Sequence, residues 1–157
     1  MADYADNGTL GDIDGDGDLD LIVATTSGKA LFGSTKVAFS KAHLVHLWQS
    51  GQALGEDNIY GAAGTVLGDL DGDHDLDAVV GSGDRGNQIW FNEGGNQGGT
   101  LGMFANSGQN LGVSRWPTAL GDVDGDDDLD VIVVETVEQS LAQSRWYTEG
   151  RRRDFCR

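Results

Sequence analysis

Three stretches of the 157-residue chain carry five aspartates in nine positions: DIDGDGDLD from Asp12 to Asp20, DLDGDHDLD from Asp69 to Asp77, and DVDGDDDLD from Asp122 to Asp130. Carboxylates this crowded repel one another, and no core buries them unless something neutralises them. The motifs start at Asp12, Asp69 and Asp122, so the chain repeats with a period of 57 and then 53 residues. Repetition of this kind means that one supersecondary unit stacks on the next, each burying the apolar face of its neighbour.

Other landmarks keep their place relative to the acidic stretches. SGQALG (Ser50 to Gly55) and SGQNLG (Ser107 to Gly112) precede one; IWFNEGG (Ile89 to Gly95) and RWYTEGR (Arg145 to Arg151) follow one. A weaker echo, ALFGST, stands at Ala30 to Thr35. Within a unit the pattern is β throughout. GTVLGD enters the acidic loop, and LDLIVAT, LDAVVGS and LDVIVVE leave it as continuous apolar runs, as expected of strands covered on both faces. Short glycine-rich links then lead to two further strands, so each unit reads as four strands. The 25 glycines and single proline suit many tight turns. The expected fold is all-β: β-propeller blades of four antiparallel strands, about three of them, in one repeat domain spanning 1–157. The blades are placed at 1–55, 56–112 and 113–157, the last running out where its fourth strand should start, at RRRDFCR. VAFSKAHLVHLWQ (Val37 to Gln49) fits a short helix or an irregular fourth strand, and its place in the repeat favours the strand.

Calcium takes six to eight oxygen ligands, and a tight loop delivers them from alternate residues. Positions one, three and five of the loops are Asp12, Asp14 and Asp16; Asp69, Asp71 and Asp73; and Asp122, Asp124 and Asp126. Position seven (Asp18, Asp75, Asp128) is expected to give its backbone carbonyl and turn its side chain to water. Position nine (Asp20, Asp77, Asp130) is expected to close the site. Position six carries Gly17, His74 and Asp127, and His and Asp enter the positive-φ region more readily than most residues. Leu19, Leu76 and Leu129 at position eight are expected to pack beneath the loop. About three calcium ions per chain follow. A helix should follow the loop in an EF-hand, whereas LIVAT, AVVGS and VIVVE favour strands. The nine-residue GGxGxD period of toxin-type β-rolls is absent.

The segments LGDIDGDGDLDLIVA, LGDLDGDHDLDAVVG and LGDVDGDDDLDVIVV, with SGQxLG upstream and W[FY]xEG downstream, resemble FG-GAP-like (VCBS) repeats, relatives of the integrin α-subunit propeller. The resemblance implies a calcium loop between the first two strands of each blade and a role as an extracellular adhesion, lectin-like or enzyme-appended module. The family's GAP triplet is missing, with GAA at Gly61 to Ala63 the nearest match. Complete propellers of the family usually have seven blades. An open stack of three would expose blade faces and strand edges, so the chain is expected either to be a segment of a larger propeller or to close a ring as a homo-oligomer.

A net charge of −16 argues against nucleic acid and anionic membranes as partners and suits cations. Apolar runs of about five residues are too short for membrane insertion. Cys156 is single, which rules out an intrachain disulfide, and the first ten residues lack the basic and apolar regions of a signal peptide. His43 and His46 lie in an apolar stretch and His74 in an acidic loop, and calcium-bound aspartates make poor proton donors, so catalysis is not expected. Trp90 and Trp146 read as one repeat position packed between blades, Trp116 as the best candidate for an exposed platform stacking on a sugar, and Arg151 to Arg153 as a solvated tail. The protein is therefore expected to be a non-catalytic scaffold for an unidentified protein or glycan. The alternative is a structural propeller segment of a larger extracellular enzyme or lectin.

Overall fold

The computed structural model describes residues 5–25, 30–35, 47–55, 62–82, 86–94, 98–112, 118–136, 142–148 and 151–154. The strands are β1 (Ala5–Gly11), β2 (Asp20–Thr25), β3 (Ala30–Thr35), β4 (Leu47–Leu54), β5 (Ala62–Gly68), β6 (Asp77–Ser82), β7 (Gln88–Asn92), β8 (Phe104–Asn110), β9 (Ala119–Gly121), β10 (Asp130–Thr136), β11 (Ala142–Thr148) and β12 (Arg151–Asp154). They form three four-stranded sheets, β1-β2-β3-β4, β5-β6-β7-β8 and β9-β10-β11-β12, in which every neighbouring pair is antiparallel. The architecture is all-β with propeller-like blades. Each acidic loop joins the first strand of a sheet to the second.

The first two blades repeat down to their irregularities. Pairing slips between Ala5 and Asn7 in β1, and between Ala62 and Gly64 in β5. It slips again between Leu31 and Gly33, and between Gln88 and Trp90. The expected fourth strand around Gln49 begins at Leu47; the preceding part of Val37 to Gln49, with His43 and His46, lies outside the described residues.

Continuous apolar runs in the second strands reflect blades stacked on both faces. Ile13, Ile22 and Leu54 of the first blade meet Ala78, Val80 and Phe104 of the second, with Leu67 and Trp90 against them. On the opposite face of the second blade, Val79, Ile89 and Leu111 meet Val131 and Val133 of the third. Alternate residues of β6 thus serve different interfaces. Each fully buried aliphatic side chain here contributes roughly 1.5–3 kcal/mol. The SGQxLG landmark also works between blades. Leu54 and Leu111 are buried in the two cores, and the Gln52 amide donates to the Phe104 carbonyl (2.5 Å) and accepts from the Phe104 N–H (3.0 Å).

Three expectations need correction. The third sheet does have a fourth strand: Arg151–Asp154 pairs with β11, so the arginines of the presumed tail belong to the blade edge. Trp90 pairs with Ala78, whereas Trp146 pairs with Ile132, the counterpart of Val79; the two tryptophans are one residue out of register. Leu76 and Leu129, at position eight, reach the preceding blade instead of packing beneath their own loops. A Cβ placed on Gly11 would lie 2.7 Å from Leu76 Cδ1 and 2.9 Å from Leu67 Cδ1. One placed on Gly68 would lie 2.6 Å from Leu120 Cδ1 and 2.9 Å from Leu129 Cδ1. Each pair of leucines therefore reaches back onto the glycine that ends the first strand of the preceding blade.

Candidate metal centres

The three loops share one backbone path. Position four is in the left-handed region in each (Gly15, φ 72°; Gly72, φ 79°; Gly125, φ 81°), and so is position six (Gly17, φ 90°; His74, φ 76°; Asp127, φ 72°). The readiness of His and Asp to adopt positive φ is what keeps the second and third loops in the same shape as the first.

That path turns backbone N–H groups onto the carboxylates in a fixed order. The position-one carboxylate accepts from the position-six N–H: Asp12 from Gly17 (3.1 Å), Asp69 from His74 (3.1 Å) and Asp122 from Asp127 (3.3 Å). Position five caps the N–H of position seven, at 3.0 Å for Asp16 and Asp18, 3.1 Å for Asp73 and Asp75, and 3.1 Å for Asp126 and Asp128. Position nine accepts from the N–H of position two: Asp20 from Ile13 (2.9 Å), Asp77 from Leu70 (2.8 Å) and Asp130 from Val123 (2.8 Å). Asp20, Asp77 and Asp130 are fully buried.

Positions one, three and nine converge in every loop. Asp12, Asp14 and Asp20 each bring a carboxylate oxygen within 4.8 Å of the others, as do Asp69, Asp71 and Asp77, and Asp122, Asp124 and Asp130. Two oxygens sharing one calcium at 2.3–2.6 Å are at most about 5 Å apart, so the triads have the span of a common ion. Positions five and seven stand outside these triads. Asp12 Oδ1 and both carboxylate oxygens of Asp75 are buried without a hydrogen-bond partner. Such acceptors are costly when left bare, and an all-oxygen set suits a hard cation.

Asp75 departs from its expected orientation. Its side chain turns inward, and a Cβ on Gly94 would lie 2.8 Å from its Oδ2, so that glycine makes room for it. Burial, then its neighbour Asp73, pushes the Asp75 carboxyl up to about 7. Burial also lifts Asp77 to about 6, against the N–H groups of Asn92 and Leu70, which favour its ionised form. Asp71, although exposed, is raised by partial loss of solvent around its carboxylate and by the charge of Asp73. His74 Nδ1 lies 3.4 Å from Asp69 Oδ2, an ion pair when the imidazole is protonated. In this second loop, loss of solvent, together with neighbouring carboxylates, disfavours the charged form of Asp71, Asp75 and Asp77.

Residues 69–133 match the family model for the FG-GAP-like repeat. Over this segment the chain is similar to an FG-GAP-like repeat. The segment opens at Asp69, takes in the second blade's loop and its last three strands, and ends in β10 beyond the third loop. An FG-GAP-like repeat is a β-propeller-type unit, typically a structural one without catalytic chemistry and typically found outside cells. No curated protein and no solved structure matches the chain. Among the described residues no helix is long and apolar enough to cross a membrane.

Asn92 is a site residue that the sequence alone did not single out. Its Nδ2 donates to the Ile13 carbonyl (2.9 Å) and to that of Leu76 (3.3 Å), and its Oδ1 accepts from Gly102 N–H (2.8 Å). Its own N–H reaches Asp77 Oδ1 at 2.9 Å. One amide thus ties the second acidic loop to the first. Trp116 and Cys156 lie outside the described residues.

Proposed function

We propose that the protein is a calcium-binding β-propeller module, with one ion at each of the three loops, acting outside cells as a non-catalytic binding or adhesion scaffold. The observation that carries this reading is the recurrence, three times, of a position-one, -three and -nine triad within 4.8 Å. Asp12, Asp14 and Asp20 would hold the first ion, Asp69, Asp71 and Asp77 the second, and Asp122, Asp124 and Asp130 the third. Each ion would supply the positive charge that the crowded carboxylates lack, and so stiffen the turn between the first two strands of a blade. Because the loops are assembled only in the folded blade, ion binding and folding are coupled. Loops of extracellular modules bind at about 10⁻⁴–10⁻³ M, the calcium range outside cells.

The scaffold role is supported by the family and by the chemistry of the loops. His74, the one histidine among the described residues, is exposed on a loop whose aspartates are committed to the triad and to backbone N–H groups. Thermal unfolding in millimolar calcium and in chelator tests the proposal. A rise in Tm of many degrees with calcium is expected, and equal melting temperatures contradict it.

A further inference from the structure

The contact between blades is directional. Each blade offers a glycine at the end of its first strand, and the following blade fills it with two leucines, one from that strand and one from loop position eight. Gly11 takes Leu67 and Leu76, and Gly68 takes Leu120 and Leu129. By the same repeat positions, Leu10 and Leu19 are the leucine pair of the first blade, and Gly121 is the glycine of the third.

Among the described residues, these outer counterparts are more exposed than their inner equivalents. Leu10 is 59% and Leu19 55% exposed, and a Cβ on Gly121 would meet nothing within 4 Å. Position two of the loop follows suit: Ile13, covered by the second blade, is 0% exposed, whereas Val123 is 38% exposed. The molecule therefore shows a leucine knob on one outer face and a glycine-floored socket on the other. The way they fit is displayed twice inside the chain.

We infer that copies of this chain associate head to tail, with Leu10 and Leu19 of one copy seated over Gly121 and Val123 of the next. The occupant is a second copy because the surface continues an interface that the chain already makes with itself. Such a heterologous contact closes a ring if the rotation per copy divides the circle, and otherwise propagates. The inference rests on apolar packing and not on the ions, so it stands or falls apart from the calcium reading.

Sedimentation velocity of the full chain over a range of concentrations, in calcium and in chelator, tests it. Masses that climb in steps of one 16.6 kDa chain are expected. Leu10→Asp removes the knob and Gly121→Trp fills the socket; both sites are open in a single copy, so Tm at low concentration should hold while self-association weakens about tenfold or more. Each variant keeps the face that the other lacks, so a mixture of the two should form mixed dimers and stop there. A wild-type chain that stays at 16.6 kDa in both conditions, or variants that assemble as the wild type does, would overturn the inference.

Discussion

Asn92 Nδ2 donates a buried hydrogen bond of 2.9 Å to the carbonyl of Ile13, 79 residues earlier in the chain. The bond joins the acidic loop of one blade to that of the next, and the same side chain also serves Leu76 and Gly102. Replacement by alanine leaves two carbonyls and an N–H without their partner. At about 1–3 kcal/mol for a buried group left bare, Asn92→Ala is expected to destabilise the protein by roughly 2–4 kcal/mol. Urea unfolding checks this, and a loss under half a kcal/mol would count against the bridge.

Asp71 is exposed, yet its carboxylate stands in the triad with Asp69 and Asp77. Asp71→Ala is therefore expected to fold normally and to lower calcium stoichiometry by about one ion per chain. Isothermal titration reads the number directly; an unchanged count would show that the triad holds no ion.

The second acidic loop makes an unusual forecast for pH. The Asp75 and Asp77 carboxyls stand at about 7 and about 6, above the ordinary 3.8, so the ion-free folded chain binds more protons than the unfolded one between those values. Its stability should then be greatest below pH 4 as far as these groups go, and fall as pH rises toward 7. Calcium reverses the slope, since it binds the ionised form. Melting curves from pH 4 to 7.5 in chelator and in millimolar calcium should diverge steadily; parallel curves would contradict the coupling.

His74 occupies with φ 76° the position that Gly17 occupies with φ 90° in the first loop. A Cβ in this region is strained, while glycine costs more entropy on folding. The strain is the larger of the two, and His74→Gly is expected to stabilise the protein by about 0.5–1 kcal/mol, with His74→Val losing at least as much. Chemical denaturation of the pair is the check.

Much of this was legible because it is local. Asp at alternate positions, glycine or a permissive residue at position six, and β-branched exit strands are fixed by short-range chemistry, and the loops and the second strands β2, β6 and β10 followed. What stayed hidden depends on the neighbouring blade. Leu76 is merely an apolar residue in sequence; only stacking shows that it reaches Gly11 and not the floor of its own loop. Asn92 reads as part of a turn in NEGG, although its amide spans two blades. The inward turn of Asp75 depends on the missing side chain of Gly94, nineteen residues away. Trp146 looks like the partner of Trp90 until the pairing register separates them.

The central claim is that each convergent aspartate triad is a cation site. Equilibrium dialysis against millimolar calcium, followed by elemental analysis of the protein, measures it most directly. About three calcium ions per chain are predicted. A chain that returns from dialysis with none contradicts the account.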